Sequence, residues 1–117
     1  MTSETLRLRQ EDFNRRAGKA ALDVYLLAAA GGGDPGKAVT DPYRELLDAA
    51  ERRFRAAADS GDLQGMADGW NELTDIFAHA AHANARLGAA LLATVANKTG
   101  LAPEEAITKT IELIENS

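Results

Sequence analysis

The sequence predicts an all-α protein, a helical bundle of three main helices plus a short C-terminal helix, with a long third helix at its centre. Three observations predict it. Apolar residues recur at helical rather than alternating spacing along most of the chain. Alanine occurs 24 times in 117 residues while proline occurs 3 times and aromatic residues supply 5%, so the core is built from Ala, Leu, Ile and Val on thin, closely packing helices. Helix-stopping and helix-capping residues are grouped at a few places rather than scattered.

The first helix spans about residues 3–30, with an apolar series Leu6, Phe13, Ala17, Ala20, Val24 and Leu27. Gly31-Gly32-Gly33-Asp34-Pro35-Gly36 removes any helical preference, so residues 31–41 read as a flexible glycine-rich loop. Asp41 and Pro42 suit a cap and a first helical position and open a second helix to about residue 59. Its buried stripe is Tyr43, Leu46, Leu47, Ala50, Phe54 and Ala57. Ser60-Gly61-Asp62 joins a glycine stop to a new capping acid, which predicts an antiparallel hairpin with the third helix.

The third helix covers residues 63–99, roughly 55 Å at about 1.5 Å per residue, long enough that it must kink, protrude or pair with another helix. Gly65, Gly69 and Gly88 each weaken it by about 1 kcal/mol relative to Ala. Gly100 ends it, and Pro103-Glu104-Glu105 opens a last helix over about residues 103–115 whose apolar edge is Ile107, Ile111 and Ile114. All four helices are expected in a single domain, residues 1–117.

Charge and composition narrow the function classes. With no cysteine, thiolate metal sites, disulfides and thiol nucleophiles are excluded. No apolar run approaches the roughly 18 residues needed to span a membrane, and the first residues lack a basic and then apolar leader pattern, so a cytoplasmic protein without membrane contact is expected. Residues 1–55 hold ten Lys and Arg against nine acids, and residues 56–117 hold three against nine, giving +1 and −6. A net charge of −5 disfavours nucleic acid as a partner, because phosphate neutralisation needs clustered cations.

Five constellations could carry function. Gly31 to Lys37 matches the skeleton of a phosphate-binding loop, but Ala38 stands where a magnesium-binding Ser or Thr belongs and a helix, not a strand, precedes it. On the long helix, Asp68, Glu72, Asp75, His79, His82 and Arg86 share one face. Within it, Glu72, Asp75, His79 and His82 are the candidates for acid–base catalysis or a metal, because carboxylates and imidazoles one and two turns apart can converge. Against that stand a single contributing helix and the missing Glu-x-x-His spacing, which favour a solvated face with no metal and no cofactor.

The opposite face carries Leu73, Ile76, Phe77, Ala80, Asn84, Leu87, Leu91 and Val95, with Trp70 at its margin. It reads first as a core stripe. Trp70, Phe77 and Asn84 are its candidate partner-binding residues: the aromatics offer large contact area, and an amide in an apolar seam must find a partner and can fix register between helices.

Two basic clusters, Arg7, Arg9, Arg15, Arg16 and Lys19, then Arg52, Arg53 and Arg55, are interleaved with acids and read as solvated faces or as intramolecular counterparts of the acidic stripe. Finally, Ala96, Gly100, Leu101, Ala106 and Ile107 sit where a helix–turn–helix wants small, turning and apolar residues, and residues 92–111 resemble the helix–turn–helix halves of small regulators. The resemblance implies DNA binding. Glu104 and Glu105 oppose it, because they place negative charge where the recognition helix would meet phosphate.

These readings favour a small non-enzymatic helical protein acting through protein–protein interaction or regulation. It is expected to be a homodimer formed through the long helix, with a further unidentified protein partner. The alternatives are a helical-bundle enzyme or ligand- or metal-binding protein using the His and acid face, and a DNA-binding transcriptional regulator with the helix–turn–helix-like C-terminus.

Overall fold

The computed structural model describes residues 3–116. It is all-α, without a strand among the described residues: α1 is Ser3–Ala29, α2 Pro35–Thr40, α3 Arg44–Ser60, α4 Leu63–Thr99 and α5 Pro103–Glu115. The chain separates into two compact units, residues 1–84 and 85–117. No helix is long and apolar enough to cross a membrane.

The glycine-rich segment departs from the loop expected at residues 31–41. Gly31, Gly32 and Gly33 all have positive φ and break the chain after α1, but helix resumes at Pro35. Asp34 caps it, accepting the Gly36 N–H at 3.0 Å, with Pro35 in the first turn. The Asp-Pro pair that starts a helix is therefore Asp34-Pro35. Asp41-Pro42 instead lies in a 3-10 turn, Asp41–Tyr43, that leads directly into α3, and the Asp41 carboxylate takes the Arg44 guanidinium at 3.1 Å.

Helices α3 and α4 form the expected antiparallel hairpin. Gly61, at φ +71°, closes α3 through its N–H to Ala58 O, Asp62 N–H returns to Ala57 O, and the Asp62 carboxylate caps α4 by accepting the Gly65 N–H at 3.0 Å. A Cβ at Gly69 would lie 3.1 Å from Phe54 Cα, so the bare glycine is what lets the two helix backbones approach this closely. Gly69 does not merely weaken α4; it is a buried contact of the hairpin.

The core of the residue 1–84 unit is made mostly of alanine around two aromatic rings: Phe13, Ala17 and Ala20 of α1, Ala38 of α2, Tyr43, Ala50 and Ala57 around α3, and Ile76 and Ala83 of α4. The expected stripe on α3 is present, with Leu46, Leu47 and Phe54 half-buried beside the fully covered positions. In the residue 85–117 unit, Gly100, at φ +71°, donates to Ala96 O at 2.9 Å and ends α4; α5 starts at Pro103 and buries Ala106.

Candidate functional site

The buried line of α4 in the first unit runs through Gly69, Ile76 and Ala83. At about 100° per residue it lies between the two faces read from the sequence and turns both into edges. On one edge stand Glu72, Asp75 and His79; on the other stand Leu73, Phe77, Asn84 and Trp70.

The polar edge is tied to the rest of the unit. Glu72 receives a bidentate guanidinium from Arg53 of α3, Nε at 2.9 Å and Nη2 on the second oxygen, and this hydrogen bond raises the Arg53 pKa above its ordinary value against the smaller opposing effect of burial. Asp75 pairs with Arg9 of α1 at 3.7 Å. His79 is half-buried, its ring 5.3 Å from that of Phe13, and its Nδ1 lies 2.9 Å from Asp75 O. His82 is exposed further along. One arginine of each basic cluster, Arg9 and Arg53, thus meets the acidic stripe within the chain, while Asp68, Asp75, His82 and Arg86 of that stripe stay exposed.

The four candidates for catalysis or metal binding are not brought together. Glu72 faces α3, Asp75 and His79 face α1, and His82 lies outside both contacts. No group of three or more His, Asp or Glu side chains able to hold a metal ion forms among the described residues.

The apolar edge is open. Ile76 is 4% exposed, but Phe77 is 61% and Trp70 60% exposed, Leu73 and Ala80 are half-buried, and Asn84 lies at the surface. The core stripe expected on this face is thus displaced toward Gly69 and Ala83. A groove of about 260 Å³ adjoins the edge, lined mainly by Val39, Tyr43, Leu47, Phe77, Ala80 and Asn84. Its wall is set by the short α2 and the 3-10 turn, within the segment expected to be a loop; the Asp34-Pro35 cap is the sequence signal for that helix.

At the base of the groove, Tyr43 packs 5.8 Å from Phe13 in a stacked arrangement. The residue is only 5% exposed and its hydroxyl has no hydrogen-bond partner. Burial raises its pKa, opposed by the nearby charge of Arg16 and reinforced by that of Asp12. Arg16 holds this corner: it pairs with Asp12 and Glu45, each at 2.8 Å, and donates to Pro42 O. Burial works against its charge, but the two carboxylates outweigh it and its pKa is raised.

The remaining motifs resolve locally. In the phosphate-loop-like segment, the Asp34 carboxylate already accepts the Gly36 amide at the helix start, and a carboxylate there repels phosphate. In the helix–turn–helix-like segment, Glu104 and Glu105 occupy the first turn of α5. Comparison with protein-family models, curated proteins and solved structures returns no match.

Proposed function

We propose that the chain is a non-enzymatic helical protein that acts through protein–protein contact, and that it does so as a homodimer docked through the apolar edge of α4. The observation that carries this reading is the contrast on one helix. Of the side chains able to do chemistry, Glu72, Asp75 and His79 are engaged by Arg53, Arg9 and Phe13, whereas Trp70 and Phe77 are more than half exposed beside an apolar groove. Together those two rings leave on the order of 250 Å² of aromatic surface open, the kind of anchor that dominates interface energetics.

The edge is also uncharged. From residue 70 to residue 84 its positions are Trp70, Leu73, Thr74, Phe77, Ala80, Ala81 and Asn84, where an outward helix face in a monomer normally carries Lys, Glu or Arg. The test is sedimentation equilibrium of the intact chain and of Phe77→Glu. The parent is expected at twice the chain mass at tens of micromolar. Phe77→Glu places a charge at both copies of the contact, about 2 kcal/mol each, and is expected to raise the dimer Kd on the order of 1,000-fold while leaving helicity unchanged. A parent mass equal to one chain at about 100 µM, above that range, contradicts the reading.

A further inference from the structure

We infer that α2 is a lid: the segment swings between Gly31–Gly33 at one end and Asp41-Pro42 at the other, Arg16 latches it, and its opening uncovers the Phe13–Tyr43 pair. The inference goes beyond the homodimer reading above and does not depend on it. Its first support is how little holds the segment. Among the described side chains of α2 only Ala38 is buried, so packing fastens it through one methyl group. Among the described residues, the hydrogen bonds of residues 34–40 stay within the segment and its own cap or reach Arg44, 3.5 Å from the Thr40 hydroxyl, and none crosses to α1 or α4. A helix of 6 residues has no stability of its own in water.

The second support is room to move. Open space lies on two sides of α2: the groove of about 260 Å³ beside Val39 and Thr40, and another of about 380 Å³ against α1, where Leu26 and Leu27 face Lys37 and Ala38. Gly31, Gly32 and Gly33 precede the segment with φ of +86°, +153° and +143°. Only glycine adopts such a run without strain, and it leaves it again at little cost, which is what a hinge requires.

Against this slack stands one strong fastening, at the far end. The Arg16 guanidinium donates to the Pro42 carbonyl and is itself held by Asp12 and Glu45, each at 2.8 Å, so it grips the pivot rather than the helix. Closed, the segment leaves the Tyr43 hydroxyl buried without a partner, a group that water satisfies once the segment lifts. Thin packing and an orphaned hydroxyl favour opening, and the charge-assisted bonds of Arg16 oppose it. Opening merges the two grooves and brings the stacked rings of Phe13 and Tyr43 to the surface.

The two tyrosines give the test an internal standard, since Tyr25 is 68% exposed and Tyr43 5%. The intact chain and Arg16→Met, which keeps an apolar stem and removes the guanidinium, are nitrated with tetranitromethane, and amide hydrogen exchange of the parent is followed by NMR. In the parent, the Ala38 and Asp41 amides are expected to be protected about tenfold less than the Ala50 amide of α3, because α2 opens without the rest of the chain. In Arg16→Met, Tyr43 is expected to be nitrated about tenfold faster relative to Tyr25, with helicity unchanged. Local electrostatics runs the other way: burial raises the Tyr43 pKa and the charge of Arg16 lowers it, so losing that charge leaves less of the reactive phenolate. Ala38 and Asp41 amides protected as well as Ala50 in the parent, or a folded Arg16→Met whose Tyr43 reacts no faster than in the parent, overturn the lid. Should Arg16→Met fail to fold, exchange in the parent decides alone.

Discussion

On either side of Gly69, Ile76 and Ala83, α4 builds two edges from the same backbone, and they have opposite fates. Glu72, Asp75 and His79 on one edge are held by Arg53, Arg9 and Phe13. On the other, Trp70, Phe77 and Asn84 face outward next to a groove. Charge is therefore satisfied inside the chain and apolar area is left outside it. The usual expectation is the reverse: a charged edge tolerates water at little cost, while each exposed apolar Å² forgoes about 25 cal/mol of burial. The difference separates an edge with partners inside the chain from an open apolar edge.

The comparison depends on the line between the edges staying buried, and Gly69 is its most sensitive point. Gly69→Leu forces a side chain into the Phe54 backbone and is expected to push α3 away from α4, separating Arg53 from Glu72 and opening the groove. The expected cost is about 2–3 kcal/mol, a fall of about 10 °C in Tm, measurable by calorimetry. An unchanged Tm would mean that the hairpin tolerates separation and that the closeness of Gly69 to Phe54 is incidental.

Much of this arrangement is legible in the residues. Ser60-Gly61-Asp62 announces the hairpin because a left-handed glycine and a capping carboxylate are local devices that need no tertiary context. The pairing of Arg9 and Arg53 with the acidic stripe is legible as one of two possibilities, since complementary charge says that groups can meet but not which helices turn toward each other. The short α2 is obscured by three glycines ahead of its own cap. Least legible is the direction of α4: a helix with Ile76, Phe77 and Ala80 on one side gives a broad apolar arc, and the close approach of Gly65 to Ala57 and of Gly69 to Phe54 shows which part of it is buried. Trp70, Phe77 and Asn84 were thus recognisable as partner candidates, but their exposure was not.

A smaller effect sharpens the contrast from the groove side. Tyr43 lies under the apolar edge, yet its hydroxyl is buried without a partner. Tyr43→Phe removes an unsatisfied group and is expected to stabilise the chain by about 1 kcal/mol, a Tm rise of about 4 °C. The pH dependence follows from the raised pKa. Below the ordinary value of 10.0 both folded and unfolded chains keep the proton; above it the unfolded chain loses it first, so stability falls as pH rises. Tyr43→Phe is expected to flatten that alkaline decline. Identical melting of both proteins from pH 8 to 11, a range spanning about a unit or more on either side of an ordinary tyrosine, would place the hydroxyl in contact with solvent.

Trp70, the sole tryptophan, sits on the open apolar edge and reports on it directly. Its emission maximum, followed on dilution from about 100 µM to about 0.1 µM so as to cross a micromolar Kd, tests the central claim that this edge is covered by another chain while the ion-paired edge is not involved. The account predicts a red shift on dilution in the parent and in Glu72→Gln, and a red-shifted, concentration-independent emission in Phe77→Glu. A parent spectrum that is solvent-exposed and unchanged across the whole range, or a shift abolished by Glu72→Gln and retained by Phe77→Glu, would contradict it.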